Sequence, residues 1–324
     1  MISEVPNFDT EAVAKHASAL YGIEGSITPL VSFEDQNALI TAVDRRYVFK
    51  IANRRWPSEL LKLQHQAMLQ LQQRAPQLTF PVPMTTYSGN TLTEIDGFNV
   101  YLLSYVDGVV YSGGEKSLPL YRDAGRFLGQ LSQSLQDFSH PASHRAGYLW
   151  DLDNVIGCRA HLEDIDDNAT RERIGRLFEH YQTRVAPRLR GLRKAVIHGD
   201  ANQHNFIIDR DHPQRMHGLI DFGEMMHSTQ VNELAIALAY LLLGETDIGT
   251  AASAVIDGYC AEFALADEEL AVLFELVAMR LVTSIVMSSN EAKIYPDNSS
   301  YILISQAEGQ ALLQRLEEQN YLFQ

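Results

Sequence analysis

The segment "VIHGDANQHNFIID", Val196 to Asp209, carries an apolar run at each end and, between them, two histidines, an aspartate and two asparagines. Four residues separate Asp200 from Asn205, and Asp221-Phe222-Gly223 follows after the turn "RDHPQRMHG". Such a set suits phosphoryl transfer. One carboxylate orients an attacking hydroxyl and accepts its proton, while an amide carbonyl and a second carboxylate offer hard oxygen ligands to Mg2+ on the nucleotide phosphates. Asp200 fits the first role, with Asn205 and Asp221 sharing the second. Gly199 and Gly223 would let the backbone turn so that side chains from two loops converge. Two plainer readings stand beside this one. Asp and Asn also make ordinary turns by bonding their own backbone, and His198, His204 and Asp200 are possible zinc ligands, although the chain has no helical His-Glu-x-x-His pair.

The elements that must hold these residues fall into two patterns. A first helix is expected from Thr10 to Tyr21 behind Asp9 as cap, then short β-rich runs in "SITPLVSF", "NALITAV" and "YVFKIA", and a long helix from Ser58 to Arg74. "NTLTEIDGFNVYLLSY" reads as a hairpin turning on Asp96-Gly97. From about Asp107 the pattern is mainly helical, over 118–138, 170–189, 231–243, 250–263, 267–289 and 301–318. "AVIHG", "NFIID" and "GLIDF" interrupt it as strands, so the polar loop lies in a small β insertion within helices. "VDGVVYSGGEKS" has the Gly and Ser content of a hinge.

The chain has 324 residues, a formal charge of −15 and 46% hydrophobic residues, which fits a globular protein of about two lobes. That charge argues against a nucleic-acid partner, because phosphate backbones are met by clustered Lys and Arg, and it favours a cationic small molecule. The N-terminus lacks a basic region followed by an apolar stretch, and "LAIALAYLLLG" is too short to span a bilayer. Cys158 and Cys260 read as buried thiols. The expectation is a cytoplasmic protein with no membrane partner.

"VIHGDANQHN" and "GLIDFGE" resemble the catalytic and metal-binding segments of the aminoglycoside phosphotransferase and choline kinase superfamily, with His-Gly-Asp where protein kinases have His-Arg-Asp. The resemblance implies an α+β, protein-kinase-like two-lobed fold. Residues 1–105 would form a β-rich nucleotide-binding lobe, and residues 106–324 a mainly helical lobe with the catalytic loop and substrate pocket. It further implies transfer from ATP or GTP with Mg2+, the purine edge meeting backbone near Ser104 to Val106 in "LLSYVDG". Lys50 in "YVFKIA" stands where the family places its nucleotide-phosphate lysine. No glycine-rich loop is present. Gln36 and Asn37 of "SFEDQNALI" are the candidates to meet phosphate in its stead, or they form a polar hairpin turn. The helical partner of the lysine is normally a Glu about sixteen residues on, yet position 66 is Gln, so either Gln66 bonds Lys50 or Glu59 reaches it.

For the acceptor, "EDQN", "QHQAML", "WDLDN" and "NELAIALAYLL" are similar to segments of the hydroxylysine kinase group and of kinase-like domains fused to class III aminotransferases. That implies a hydroxylated amino acid or amino alcohol, with aminoglycoside, choline or homoserine as alternative acceptors. Asp151 and Asp153 either cap the following helix or wall the substrate pocket. Glu224 faces metals or substrate, or is an ordinary loop acid. Arg280 either holds a substrate carboxylate with its planar fork or sits in a buried structural pair. Glu233 is expected to brace the catalytic loop. A catalytically inactive nucleotide- or partner-binding relative is the competing reading, and its support is the Gln66 departure.

Overall fold

Local signals act where the sequence puts them. Asp9 caps α1 (Thr10–Tyr21) by accepting from the Ala12 amide, and Gly22 ends the helix in the left-handed region. β1 (Ser26–Leu30), β2 (Gln36–Thr41), β3 (Arg46–Ile51), α2 (Ser58–Arg74), β4 (Thr93–Ile95) and β5 (Phe98–Ser104) follow, the last two joined by Asp96 and Gly97, both at positive φ. A computed structural model describes residues 5–32, 35–112 and 116–323. Phe33 and Glu34 of the expected phosphate-facing loop, and Gly113, Gly114 and Glu115 of the expected hinge, lie outside the described residues.

The chain divides into two compact units, Met1–Gly108 with Gly218–Gly223, and Val109–His217 with Glu224–Gln324. In the first unit the strands form an antiparallel sheet in the order β1-β2-β3-β5-β4. Because side chains alternate across a sheet, Ala38, Ile40, Phe49, Ile51, Val100 and Leu102 share one face and bury against Val13 and Ala17 of α1. Asn37, Lys50 and Tyr101 take the other face. Residues 218–223 join this unit through a β-bridge between Thr79 and Gly218 and a bond from the Leu219 amide to the Thr79 carbonyl (3.3 Å). Phe222 is buried there, edge-on to Phe80 at 5.9 Å.

The second unit contains β6 (Val109–Val110), α3 (Leu118–Leu135), a 3-10 stretch (Leu152–Asp164), α4 (Asn168–His180), a π turn (Tyr181–Val185) and α5 (Ala186–Leu189). β7 (Lys194–Ile197), β8 (Phe206–Ile208) and β9 (Met216–Leu219), along which the chain leaves this unit, come next. β10 (Met226–Thr229), α6 (Asn232–Leu241), α7 (Ile248–Glu262), α8 (Asp267–Leu270), α9 (Leu273–Ile294), α10 (Ser299–Ile302) and α11 (Gln306–Glu318) complete it. β7 pairs with β10 and β6 with β8, both antiparallel.

Three helices differ from expectation. The helix expected over 267–289 is two, broken between Leu270 and Leu273 and running on to Ile294. The helix expected over 170–189 begins at Asn168 and widens into the π turn, and the one expected from Tyr301 is α10 and α11, separated by Leu303–Ser305. By length and composition α9 could cross a membrane, yet 72% of its apolar window is buried within the protein, against α6, α11 and the 3-10 stretch. It is the core helix that carries Arg280.

Candidate active site

β7 delivers His198, Gly199 and Asp200 into the loop that ends at β8. Gly199 has φ +78°, and a Cβ there would lie 2.8 Å from the Glu224 carbonyl oxygen, so glycine is needed for both the turn and the close approach. Asp200 is held from three directions. Its Oδ2 accepts from Asn202 (2.9 Å) and Asn205 (2.8 Å), and its Oδ1 accepts from Nη2 of Arg280 (2.8 Å). Asn205 also donates to the Asp200 main-chain carbonyl at 2.9 Å. With its amide nitrogen turned to Asp200, the side chain keeps its carbonyl oxygen, the atom a hard cation takes.

Beneath the loop, Glu233 in the first turn of α6 accepts from the His198 amide at 2.6 Å and is 1% exposed. This is the brace the sequence suggested. Burial pushes its carboxyl up to about 7, against the pull of the His198 and Gly199 amides. A carboxyl whose folded value lies above its unfolded value of 4.5 gives stability that is full below 4.5 and lost as pH rises towards 7, by about 3 kcal/mol for a shift of this size. In Glu233→Gln, which keeps an acceptor for His198, that component should vanish. Urea unfolding of both proteins at pH 4.5 and 7.5 measures it: relative to the variant, wild type should lose stability over that interval, and parallel pH dependences would remove Glu233 from the account.

Arg280 is 2% exposed on α9, among apolar neighbours. Its Nε donates to the Tyr240 hydroxyl (3.1 Å), its guanidinium lies 4.7 Å from the Trp150 ring centroid, and Nη2 meets Asp200. Among the described residues its buried Nη1 has no hydrogen-bond partner. Burial opposes the charge, but Tyr240 and then Asp200 outweigh it and hold the guanidinium above its ordinary value. A buried ion pair of this kind is costly to break from one side, by about 3–5 kcal/mol. Neither Trp150 nor Tyr240 was singled out from sequence. Trp150 lies inside "WDLDN", beside Asp151 and Asp153.

Those carboxylates are engaged elsewhere. Asp151 accepts from Ser228 (2.5 Å) and caps the 3-10 stretch through the Asp153 amide, and Asp153 accepts from Lys194 (2.8 Å), Thr229 (2.9 Å) and Asn232 (3.0 Å). Both tie that stretch to β10 and its surroundings, as the capping alternative anticipated. Glu224 lies 3.6 Å from Arg145, which stacks on Tyr148, and its charge also acts on Arg280.

In the first unit Lys50 is partly exposed on β3. Burial opposes its charge, but Tyr101, then Asp221 and Asp35, more than compensate and hold the ammonium above its ordinary value. Gln66 is exposed on α2, and Glu59 pairs with Lys62 at 2.7 Å. Asp221 is exposed with φ +64°, a conformation that costs a non-glycine residue energy. It turns its carboxylate back to the Gly223 amide (3.2 Å). Asn37 lies opposite Lys50, and its Oδ1 is buried with no partner among the described residues. Gln36, by contrast, bonds both main-chain groups of Phe8, at 2.8 and 2.6 Å, so its amide is engaged with the N-terminal segment. The amides of Ser104 and Tyr105 are taken by the carbonyls of Val82 and Arg46, both within 3.0 Å.

Residues 26–272 match the model of the phosphotransferase enzyme family. The chain belongs to this family. Among its relatives, the hydroxylysine kinase of Mus musculus is 27% identical over 342 residues, covering 97% of this chain and 90% of that protein. Amicoumacin kinase hAmiN, solved with AMP-PNP, Ca2+ and Ami, aligns with TM-score 0.71 and 17% identity over 94% of each chain. A microcompartment-associated aminopropanol kinase aligns with TM-score 0.69 and 15% identity, over 97% of this chain and 99% of that one. The phosphotransferase fold is therefore the α+β, protein-kinase-like one, and membership makes the chain a small-molecule kinase.

Proposed function

We propose that this phosphotransferase moves the γ-phosphoryl group of ATP or GTP to the side-chain hydroxyl of a small hydroxylated amino acid, with a hydroxylysine-like acceptor as the leading case. Asp200 takes the hydroxyl proton as the acceptor oxygen bonds to the γ-phosphorus, and the bond from that phosphorus to the β–γ bridging oxygen breaks to release the nucleoside diphosphate. Asn205 and Asp221 are the residues suited to Mg2+, one through a carbonyl and the other through a carboxylate, and the ion would neutralise charge building on the phosphates. Lys50, with Asn37, meets phosphate oxygens. Val106 is the residue of its segment left for the purine edge, since the amides of Ser104 and Tyr105 are committed. The first unit thus takes the nucleotide role and the second supplies the base and acceptor pocket.

One observation carries the choice of an acid-bearing acceptor. Arg280 keeps a buried donor, Nη1, without a partner, on the same guanidinium that holds Asp200. A buried unsatisfied donor costs about 1–3 kcal/mol, and a substrate carboxylate would satisfy it. Glu224, which lies 3.6 Å from Arg145 and whose charge acts on Arg280, is the candidate carboxylate for an acceptor ammonium. The hydroxylysine kinase relatives support the same class. An inactive nucleotide binder has only the missing acidic partner of Lys50 in its favour, and Tyr101, Asp221 and Asp35 all act to keep that ammonium charged. The burial of α9 fits a core helix and not a membrane span.

The test is kcat/KM across hydroxylysine, homoserine, ethanolamine, choline and kanamycin with both nucleotides. Hydroxylysine should lead, and the two acceptors bearing a carboxylate should outrun the three without one. A best substrate lacking a carboxylate would sink the amino-acid reading while leaving the kinase assignment intact.

A further inference from the structure

Asn37, Lys50 and Tyr101 form a straight row across β2, β3 and β5, with Asn37 opposite Lys50 and Lys50 opposite Tyr101. Residues directly opposed on antiparallel strands share a face, their Cβ atoms about 5 Å apart. Lys50 Nζ lies 5.9 Å from the centroid of the Tyr101 ring, and the tyrosine favours the charged form of the ammonium. The tyrosine is 2% exposed and cannot swing away.

What α2 brings to this place is His65, not an acid. His65 is 1% exposed, its ring packs edgewise on Tyr101 with centroids 4.7 Å apart, and its Nδ1 lies 3.1 Å from the Thr91 hydroxyl. Burial, and then Lys50, push the imidazole down to about 4, so it is neutral at neutral pH. A neutral ring can brace another ring but cannot answer an ammonium. When Nδ1 donates to Thr91, Nε2 is left as a bare lone pair, buried with no partner among the described residues, which suits a site near a positive charge.

We infer that Tyr101, braced by His65, is the positioning residue that aims Lys50 at the nucleotide phosphates, in place of an acid on α2. The inference rests on the reading of Lys50 as the phosphate-contacting lysine. A phenol oxygen fixes the ammonium through one hydrogen bond without neutralising it, which leaves its charge for the phosphates.

Tyr101→Phe removes only the hydroxyl and keeps the ring on His65. Calorimetry with Mg-ATP and Mg-GTP, set against adenosine and guanosine, separates phosphate positioning from general damage. A hydrogen bond to a charged group is worth enough that the affinity for the productive Mg-nucleotide should fall about tenfold or more, with kcat falling too, while nucleoside affinity holds. Lys50→Ala should lose at least as much, and the double variant no more than Lys50→Ala alone, since the two act as one unit. Gln66→Ala and Glu59→Gln should leave every quantity unchanged. Wild-type Mg-nucleotide affinity and kcat in Tyr101→Phe, beside an impaired Lys50→Ala, overturn the inference, as does a loss in Gln66→Ala. Equal losses for nucleotide and nucleoside in Tyr101→Phe would also overturn it, by reducing the tyrosine to a structural role. If Lys50→Ala itself behaves as wild type, the lysine reading fails and takes the inference with it.

Discussion

Asp200→Asn should lower kcat by about 10²-fold or more, the usual cost of losing a general base, while Mg-nucleotide still binds with near wild-type affinity. Asp200 is the one carboxylate in its loop. Its Oδ1 is oriented by Arg280 and its Oδ2 by Asn202 and Asn205, so it is aimed before any acceptor arrives. The amide keeps the shape and loses the basicity. It also turns a donor towards one of those three donors, so the variant's melting temperature should be recorded beside steady-state rates and calorimetric nucleotide binding. Turnover above roughly a tenth of wild type, where loss of a general base costs far more, would remove Asp200 from the role.

Replacing Arg280 should produce the second large effect, and an unequal one. In Arg280→Lys the charge survives but the planar fork does not, so one ammonium must serve both Asp200 and the acceptor. A hydrogen-bonded buried charge pair broken from one side costs about 2–5 kcal/mol, which predicts a drop of roughly 10²-fold in kcat/KM for hydroxylysine and homoserine. Ethanolamine offers no carboxylate and should fall much less. KM should rise for the acids as well as kcat falling, whereas a purely structural pair would depress all acceptors alike. Equal losses for acids and amino alcohols would therefore reduce Arg280 to a brace for Asp200.

Much of the scaffold was legible because its signals are local. The Asp9 cap, the Asp96-Gly97 turn and the helix over Ser58–Arg74 depend on neighbours a few residues away, and they form where the sequence puts them. The His-Gly-Asp and Asp-Phe-Gly triplets were legible because phosphoryl transfer restricts their residue types and spacing. The companions of Lys50 were hidden for the opposite reason. Tyr101 comes opposite Lys50 only through the register of β3 and β5, across some fifty residues of chain, and a slip of one residue would turn it to the other face. Gln36 reads as a phosphate donor until the N-terminal segment is folded over it, for nothing in the sequence announces the bonds to Phe8. Trp150 and Tyr240 looked like packing residues, and their place beside Arg280 follows from how α6, α9 and the 3-10 stretch meet.

The Asn37–Lys50–Tyr101 row has a bearing on control. In protein kinases the lysine is engaged or released as a helix moves its acidic partner in and out, which makes that helix a handle for regulators. Here the lysine and the tyrosine are opposed residues of hydrogen-bonded strands, so no helix movement is needed to bring them together. Control through a movement of α2, in the manner of protein kinases, would find no acid there to withdraw from Lys50, since Glu59 pairs with Lys62.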